Sequence, residues 1–155
     1  MEIIKYPNEV LKQKSKEVKL PLSKEDKALL DEMYTYVKEH KDEAVGLSAI
    51  QVGVPLRMCA IRKVTNGKAF NYKLVNPKVL THSSTFIALP EGCLSVKEEH
   101  NEPVKRWKTI MVSGYDAITN KNVIINASGF EARILQHEID HMDGKLYIDY
   151  IKESD

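Results

Sequence analysis

The sequence predicts an α+β fold in which antiparallel strands pack around a C-terminal helix carrying a His-Glu-x-x-His motif, with another helix near the N-terminus. Three observations predict it. One helical pattern begins after residue 23, a second begins after residue 128, and apolar runs rich in Val, Ile and Phe lie between them. No repeat or linker divides the chain, so we expect residues 1–155 to form a single domain.

Composition argues against several classes of protein. The 155 residues are 43% hydrophobic and 29% charged, with a net charge of +1 and interleaved Lys and Glu, so we expect no nucleic-acid or membrane partner. No apolar run reaches the ~20 residues that a transmembrane helix needs, and the N-terminus lacks a signal-peptide pattern. Two cysteines cannot form a disulfide framework, which makes the reducing cytoplasm the expected compartment.

The first helix is predicted to begin at Ser23, with Asp26 as its capping-box-like partner, and to fade near His40. Residues 8–22, which precede it, are Lys-rich and predicted to be irregular. Residues 46–55, which follow it, have turn residues at both ends. The apolar stripe of the helix consists of Leu29, Leu30, Met33 and Val37.

Five segments are predicted to be strands because of their Val, Ile, Leu and Phe content. The last two are separated by a polar turn and should pair as an antiparallel hairpin. The five segments are residues 56–63, 73–80, 85–89, 109–117 and 123–126.

The C-terminal helix has the clearest pattern in the sequence. Ser128 and Glu131 form a predicted capping box, in which each side chain covers an otherwise unpaired backbone N–H. Gly144 stands where a C-terminal cap is expected. Between these ends, Ile134, Leu135, Ile139 and Met142 recur at helical spacing.

The motif His137-Glu138-Ile139-Asp140-His141 lies on this helix. Residues four apart share a helix face, so the imidazoles of His137 and His141 can converge on one metal ion. Glu138 then stands beside a metal-bound water rather than at the metal. Taken alone, the motif is equally compatible with two unrelated histidines, since short motifs recur by chance.

A metallopeptidase would need a third ligand downstream of this motif. In the long form His-Glu-x-x-His-x-x-Gly-x-x-His, Gly144 matches but Tyr147 occupies the position of the last histidine. The other common form takes a Glu from a later helix, and the available Glu153 falls in what is predicted to be a frayed tail. The metallopeptidase alternative therefore lacks its third ligand.

Cys93 is the replacement ligand that the sequence offers. Pro90 and Gly92 mark a tight, exposed turn after a predicted strand, where a thiolate can reach a metal and a backbone can approach closely. A free cysteine is more often a small buried apolar residue. That description fits Cys59, which lies within an apolar strand.

Three segments together resemble the motifs of the peptide deformylases. Residues 44–51 read Ala-Val-Gly-Leu-Ser-Ala-Ile-Gln, where the family has Gly-x-Gly-Leu-Ala-Ala-x-Gln. Residues 91–95 read Glu-Gly-Cys-Leu-Ser, and residues 136–141 read Gln-His-Glu-Ile-Asp-His. Their order and spacing match as well, so the resemblance covers nearly the whole chain.

The resemblance implies removal of the formyl group from the N-terminal formyl-methionine of new polypeptides. Cys93, His137 and His141 would hold one metal ion, and Glu138 would act as general acid and base. By the same resemblance, the Gln51 amide and the Leu47 N–H would stabilise the oxyanion together with the metal.

Residues around these motifs are expected to bind the N-formyl-methionyl peptide. Val45 and Gly46 would offer backbone hydrogen bonds to an extended peptide, as a strand edge does, and Gly92 and Leu94 flank the predicted thiolate. The candidate walls of the methionine pocket are Leu89, Phe130 and Ile134, for which an ordinary core position is an equal alternative.

The family resemblance favours Fe²⁺ as the physiological metal. Thiolate and imidazole ligands also suit Zn²⁺, Ni²⁺ and Co²⁺, and sequence spacing cannot separate these ions. Two alternatives to deformylation remain: a catalytically degenerate metal-binding module of the same fold, and the metallopeptidase. The intact Glu138, Gln51 and Cys93 argue against the first.

The chain departs from the family pattern in a few places. Ala44 and Ser48 replace a Gly and an Ala of the first motif, and His100 stands where many members have an Arg. These changes bear on loop conformation and peptide affinity rather than on the reaction. The sequence ends eleven residues after Gly144, short of the helix that bacterial relatives use for ribosome docking, so that contact is not predicted.

Overall fold

The computed structural model describes residues 1–65 and 67–153, which form an antiparallel sheet, a two-stranded ribbon and three α-helices. The helices are α1 (Lys24–Glu39), α2 (Gly129–Met142) and α3 (Tyr147–Glu153). The strands are β1 (Gly46–Ser48), β2 (Met58–Thr65), β3 (Lys68–His82), β4 (Phe86–Leu89), β5 (Val104–Trp107), β6 (Thr109–Asp116) and β7 (Lys121–Ser128). The predicted fold class is confirmed. No helix in the described ranges is long and apolar enough to cross a membrane.

The main sheet has the strand order β1-β2-β3-β6-β7, with every neighbouring pair antiparallel, and β4 pairs with β5 in the ribbon. The predicted hairpin of β6 and β7 is confirmed. The prediction missed β5, whose buried positions are Val104 and Arg106. An inward-facing arginine hides the apolar alternation that identifies a strand.

Two helices cover opposite faces of the sheet. Successive residues of β2 alternate between them, since Cys59 packs in the cluster that contains α2 and Met58 packs in the cluster that contains α1. The same alternation in β1 directs Leu47 into the α1 cluster and leaves Gly46 and Ser48 on the α2 side. The strand β1, predicted as a turn-bounded segment, is thereby an edge strand beneath α2.

The ends of the helices match the sequence patterns in part. At α1, the Asp26 N–H donates to Ser23 Oγ over 3.1 Å, as predicted. At α2, the predicted capping box is wrong because the Ser128 side chain caps no N–H and Glu131 instead accepts a hydrogen bond from the Tyr72 hydroxyl at 2.6 Å. Gly144, with φ of +77°, follows the end of α2 as expected.

The predicted frayed tail is also wrong, because residues 147–153 form α3. This helix is held by apolar burial: Leu146, Tyr147 and Ile148 pack with Leu11 and Val104. Seven residues are too few to show a helical period against the background of the sequence. The packing of α3 therefore depends on partners that are distant along the chain.

Candidate metal centre and adjoining cleft

Three side chains converge where α2 meets the loop before β5. The ligand atoms of Cys93, His137 and His141 all lie within 4.8 Å of one another, and Cys93 Sγ is 3.5 Å from His141 Nε2. The two imidazoles come from positions four apart on α2, and the thiol comes from the turn that Val96 closes through its N–H to the Cys93 carbonyl. One sulfur and two nitrogens at this spacing fit a divalent metal of borderline softness.

The surroundings of the two imidazoles determine the orientation of His137 and the pKa of His141. The Nδ1–H of His137 donates to Glu91 Oε1 over 2.9 Å, which leaves Nε2 for the metal. Burial and the neighbouring His137 lower the pKa of His141 well below its ordinary value, which favours the neutral form that a metal ligand needs.

Glu138 lies beside this cluster and is buried, with 3% of its surface exposed. Burial raises the pKa of the Glu138 carboxyl above its ordinary value, against the opposing effects of His137 and the Ser48 hydroxyl. A carboxylate with a raised pKa is better matched to proton transfer near neutral pH. The Ser48 hydroxyl donates to Glu138 Oε1 over 2.9 Å.

Gln51 approaches the cluster from the 3-10 helical turn Ala49–Val52. Its amide nitrogen lies 3.6 Å from Cys93 Sγ and 3.1 Å from Ser95 Oγ, and its amide oxygen accepts from the Ser48 N–H. These contacts fix the orientation of the amide, with its NH₂ group toward the thiol. The Gln51 amide therefore lies beside the three candidate metal ligands.

The predicted oxyanion donor Leu47 is turned away from the site. The Arg62 N–H donates to the Val45 carbonyl, and antiparallel pairs alternate, so the next hydrogen-bonded pair is Leu47 with Ala60. The Leu47 N–H is therefore directed at β2, and its side chain is fully buried against α1. The backbone N–H and C=O of Gly46, between these pairs, face outward from the sheet edge.

A cleft of about 350 Å³ opens beside the metal ligands. Of the predicted peptide-binding residues, Leu89 is 49% exposed on β4 and does not contribute to its lining in the described part of the chain. Phe130 is half exposed at the mouth, whereas Ile134 is buried and belongs also to the core. The predicted residues that line the cleft are Val45, Gly46, Gly92, Cys93, Leu94, Phe130, Ile134, His137 and Glu138.

Comparison with known proteins identifies the family. A family model described as polypeptide deformylase matches residues 1–155. The chain belongs to the polypeptide deformylase family.

The individual relatives agree with this assignment. The peptide deformylase of Staphylococcus epidermidis is 37% identical, covering 97% of this chain and 89% of its own length. A crystal structure of a probable peptide deformylase from Synechococcus phage S-SSM7 superimposes with a TM-score of 0.83 at 33% identity, covering 96% of this chain and 98% of the phage chain. The crystal structure of the Ehrlichia chaffeensis peptide deformylase superimposes with a TM-score of 0.87 at 30% identity, covering 97% of this chain and 87% of the Ehrlichia chain. The chain is accordingly an enzyme, and its reaction is the metal-dependent deformylation of polypeptides.

The deformylase motifs did not reveal the charged network behind the metal ligands. Glu91 accepts two hydrogen bonds from Arg106, at 2.8 and 2.9 Å, and one from Arg133 at 2.6 Å, in addition to the one from His137. Burial by itself raises the pKa of Glu91, but the hydrogen bonds from Arg106 and His137 outweigh it and hold that pKa well below its ordinary value. Glu91 is therefore an ionised anchor for His137.

The network continues through Asp140, the fourth residue of the helical motif. Arg106 Nη1 donates to Asp140 Oδ2, and the same oxygen accepts from the Tyr150 hydroxyl at 2.7 Å. The network thus joins α2, α3 and β5 to the loop before Cys93. The Glu-Gly-Cys-Leu-Ser motif contained Glu91, but nothing in the sequence indicated that Arg106 would contact it or that Tyr150 would contact Asp140.

Gln136, in the same helical motif, binds the backbone of Trp107 and is not among the described residues that line the cleft. Its side chain accepts from the Trp107 N–H and donates to the Trp107 carbonyl, at 2.9 and 3.0 Å. These two hydrogen bonds hold α2 against β5.

Proposed function

We propose that this deformylase removes the formyl group from the N-terminal formyl-methionine of new polypeptides, with Cys93, His137 and His141 holding one divalent metal and Glu138 transferring the proton. The observation that carries the proposal is the convergence of the three ligand atoms within 4.8 Å beside a buried carboxylate at a cleft. We place this reaction in the cytoplasm and assign it to residues 1–155 as one catalytic domain.

The metal, when bound, acidifies a water molecule and polarises the formyl carbonyl. We propose Fe²⁺ as the physiological ion, on the family resemblance. The sulfur and nitrogen ligands suit Zn²⁺, Ni²⁺ and Co²⁺ as well, and these ions are expected to occupy the same three side chains.

Glu138 is proposed to act first as base and then as acid. Its carboxylate accepts a proton from the water that attacks the formyl carbon, and the carboxyl then delivers that proton to the departing amine. The carbon–nitrogen bond breaks, and formate and a free N-terminus are released. The cleft position and the burial of Glu138 support this role.

Two donors are proposed for the oxyanion. One is the Gln51 amide, which is held beside Cys93. The other is the backbone N–H of Leu94, in place of Leu47. Leu94 follows Cys93 as a central residue of the turn closed by Val96, lines the cleft, and its N–H has no hydrogen-bond acceptor among residues 1–65 and 67–153.

The peptide is proposed to lie along the free edge of β1. Within residues 1–65 and 67–153, no strand pairs with the outer edge of β1, so the Gly46 N–H and carbonyl are available for an extended substrate to add to the sheet there. The methionine side chain would then enter the cleft between Phe130 and Ile134.

The test is formate release from formyl-Met-Ala-Ser by protein purified without oxygen, with metal content measured in the same samples. We expect release that a chelator abolishes and that added Fe²⁺ or Ni²⁺ restores. Glu138→Gln should keep its metal and lose about 10²- to 10⁴-fold in kcat. No release from fully metallated wild-type protein would refute the proposal and favour the metal-binding module.

A further inference from the structure

Ser48 is buried between the sheet and α2, and its hydroxyl contacts Glu138 twice. Ser48 Oγ lies 2.9 Å from Glu138 Oε1 and 3.1 Å from the Glu138 backbone carbonyl. Both acceptors belong to the same residue, so the hydroxyl holds Glu138 whichever of them takes its proton. No other hydrogen bond to this carboxylate is found within residues 1–65 and 67–153.

The second oxygen of the carboxylate lies over another residue of the same strand. A Cβ placed on Gly46 would be 2.6 Å from Glu138 Oε2, so this oxygen rests against the bare Gly46 backbone. Residues two apart on a strand face the same side, which brings Gly46 and Ser48 together under Glu138. Gly46 and Glu138 both line the cleft, whereas Ser48 does not.

The strand thus separates the two oxygens of Glu138: Oε1 is tied to Ser48 inside the protein, and Oε2 is on the Gly46 side, toward the cleft. A glutamate has three side-chain torsions, and without a donor on Oε1 the carboxylate can rotate away from this arrangement. The Ala of the family motif quoted above has no hydroxyl that could hold the carboxylate in this way.

We propose that Ser48 is a positioning residue, whose hydroxyl fixes the Glu138 carboxylate so that Oε2 faces the substrate. This inference rests on the proposed role of Glu138 as proton acceptor. It predicts that Ser48 affects the rate of the reaction and not the binding of peptide or metal.

The experiment compares Ser48→Ala with wild-type protein in formate release from formyl-Met-Ala-Ser, each fully metallated. The matched control is Ser15→Ala, which removes a buried hydroxyl that has no hydrogen-bond partner within the described ranges. We expect Ser48→Ala to lower kcat about tenfold, the effect of one hydrogen bond to a charged group. KM should stay within about twofold, and Ser15→Ala should match the wild type in both constants.

A double-mutant cycle separates positioning from a general structural role. In Glu138→Gln protein, whose amide cannot accept the proton, adding Ser48→Ala should change the residual rate by less than about twofold. An equal loss in both backgrounds, a loss confined to KM, or an unchanged kcat would overturn the positioning role.

The same cycle keeps the two hypotheses apart. If Glu138→Gln alone retains the wild-type rate, the proposed function of Glu138 fails, and the positioning role fails with it. If Glu138→Gln loses its activity while Ser48→Ala keeps it, only the role of Ser48 is overturned.

Discussion

The active site has two sides, the charged network behind the candidate metal ligands and the cleft beside them, and they differ in burial and in the contacts that hold them. On the metal side, the carboxylate of Glu91 is 5% exposed and is shared by two arginines and His137, which come from β5 and α2. On the cleft side, the proposed peptide-binding edge is the three-residue strand β1, and Phe130 is half exposed at the mouth. Charged hydrogen bonds in a buried setting hold the first side, and solvent reaches the second.

The difference follows from what each side must do. Metal ligands have to be held close to a fixed geometry, and partners behind them that lock each imidazole provide this. A cleft that accepts polypeptides of differing sequence needs backbone hydrogen bonds and adaptable apolar contacts instead. We therefore expect changes on the metal side to alter metal affinity and stability, and changes to the apolar wall of the cleft to alter KM alone.

The largest effect should come from Cys93→Ala, which removes a proposed metal ligand. Loss of a residue behind the ligands typically weakens metal affinity about 10–100-fold, and loss of a ligand should exceed that. Metal content after dialysis, followed by formate release, measures this. Wild-type metal retention would remove Cys93 from the ligand set.

A smaller effect on the metal is expected from Glu91→Gln. The change leaves Arg106 and Arg133 without their shared buried anion, which should lower the free energy of unfolding by about 3 kcal/mol. Metal affinity should fall about 10–100-fold because His137 loses its orienting acceptor.

Urea unfolding and metal titration measure both quantities for Glu91→Gln. The control is Glu98→Gln, an exposed carboxylate a few residues further along the chain, which should change stability by less than about 0.5 kcal/mol. If the two variants behaved alike, the buried network would have no part in holding the site.

The smallest effect is expected on the cleft side, from Phe130→Ala. Removing this half-exposed ring should raise KM for the formyl-methionyl peptide about three- to tenfold, because part of the apolar wall is lost. Metal content and kcat should not change. Phe86→Ala is the matched control, since Phe86 is 55% exposed on β4 and is not in the cleft lining given by the described residues. A loss of metal from Phe130→Ala would contradict the claim that the cleft wall and the metal ligands are held independently.

The helix that carries the site was predictable because its signals are local. The spacing of His137 and His141 sets them on one helix face wherever α2 is packed, and the apolar residues between 134 and 142 fix which face is buried. The Glu131 half of the predicted capping box failed for the opposite reason, a contact with a residue that is distant in sequence. Tyr72, on the distant strand β3, offers Glu131 a hydrogen bond that competes with the helix end.

The motifs also indicated the candidate third ligand, Cys93, but not its geometry. Cys93 and His141 are 48 residues apart, and their contact depends on the turn that Val96 closes and on the network centred on Glu91. The role predicted for Leu47 shows the same limit. A motif names residues, whereas strand register decides which N–H faces the site and which is paired with β2.

By itself, the sequence determined the fold class, the helix with its two imidazoles and carboxylate, and the thiol proposed as the third ligand, because helical periodicity and contiguous motifs are properties of neighbouring residues. Only the tertiary structure decided that Arg106 and Tyr150 lie behind the ligands and that β1 presents Gly46 and Ser48 to Glu138. Contacts between residues far apart in sequence arise when the chain closes on itself, and no local pattern records the partner that each side chain will meet.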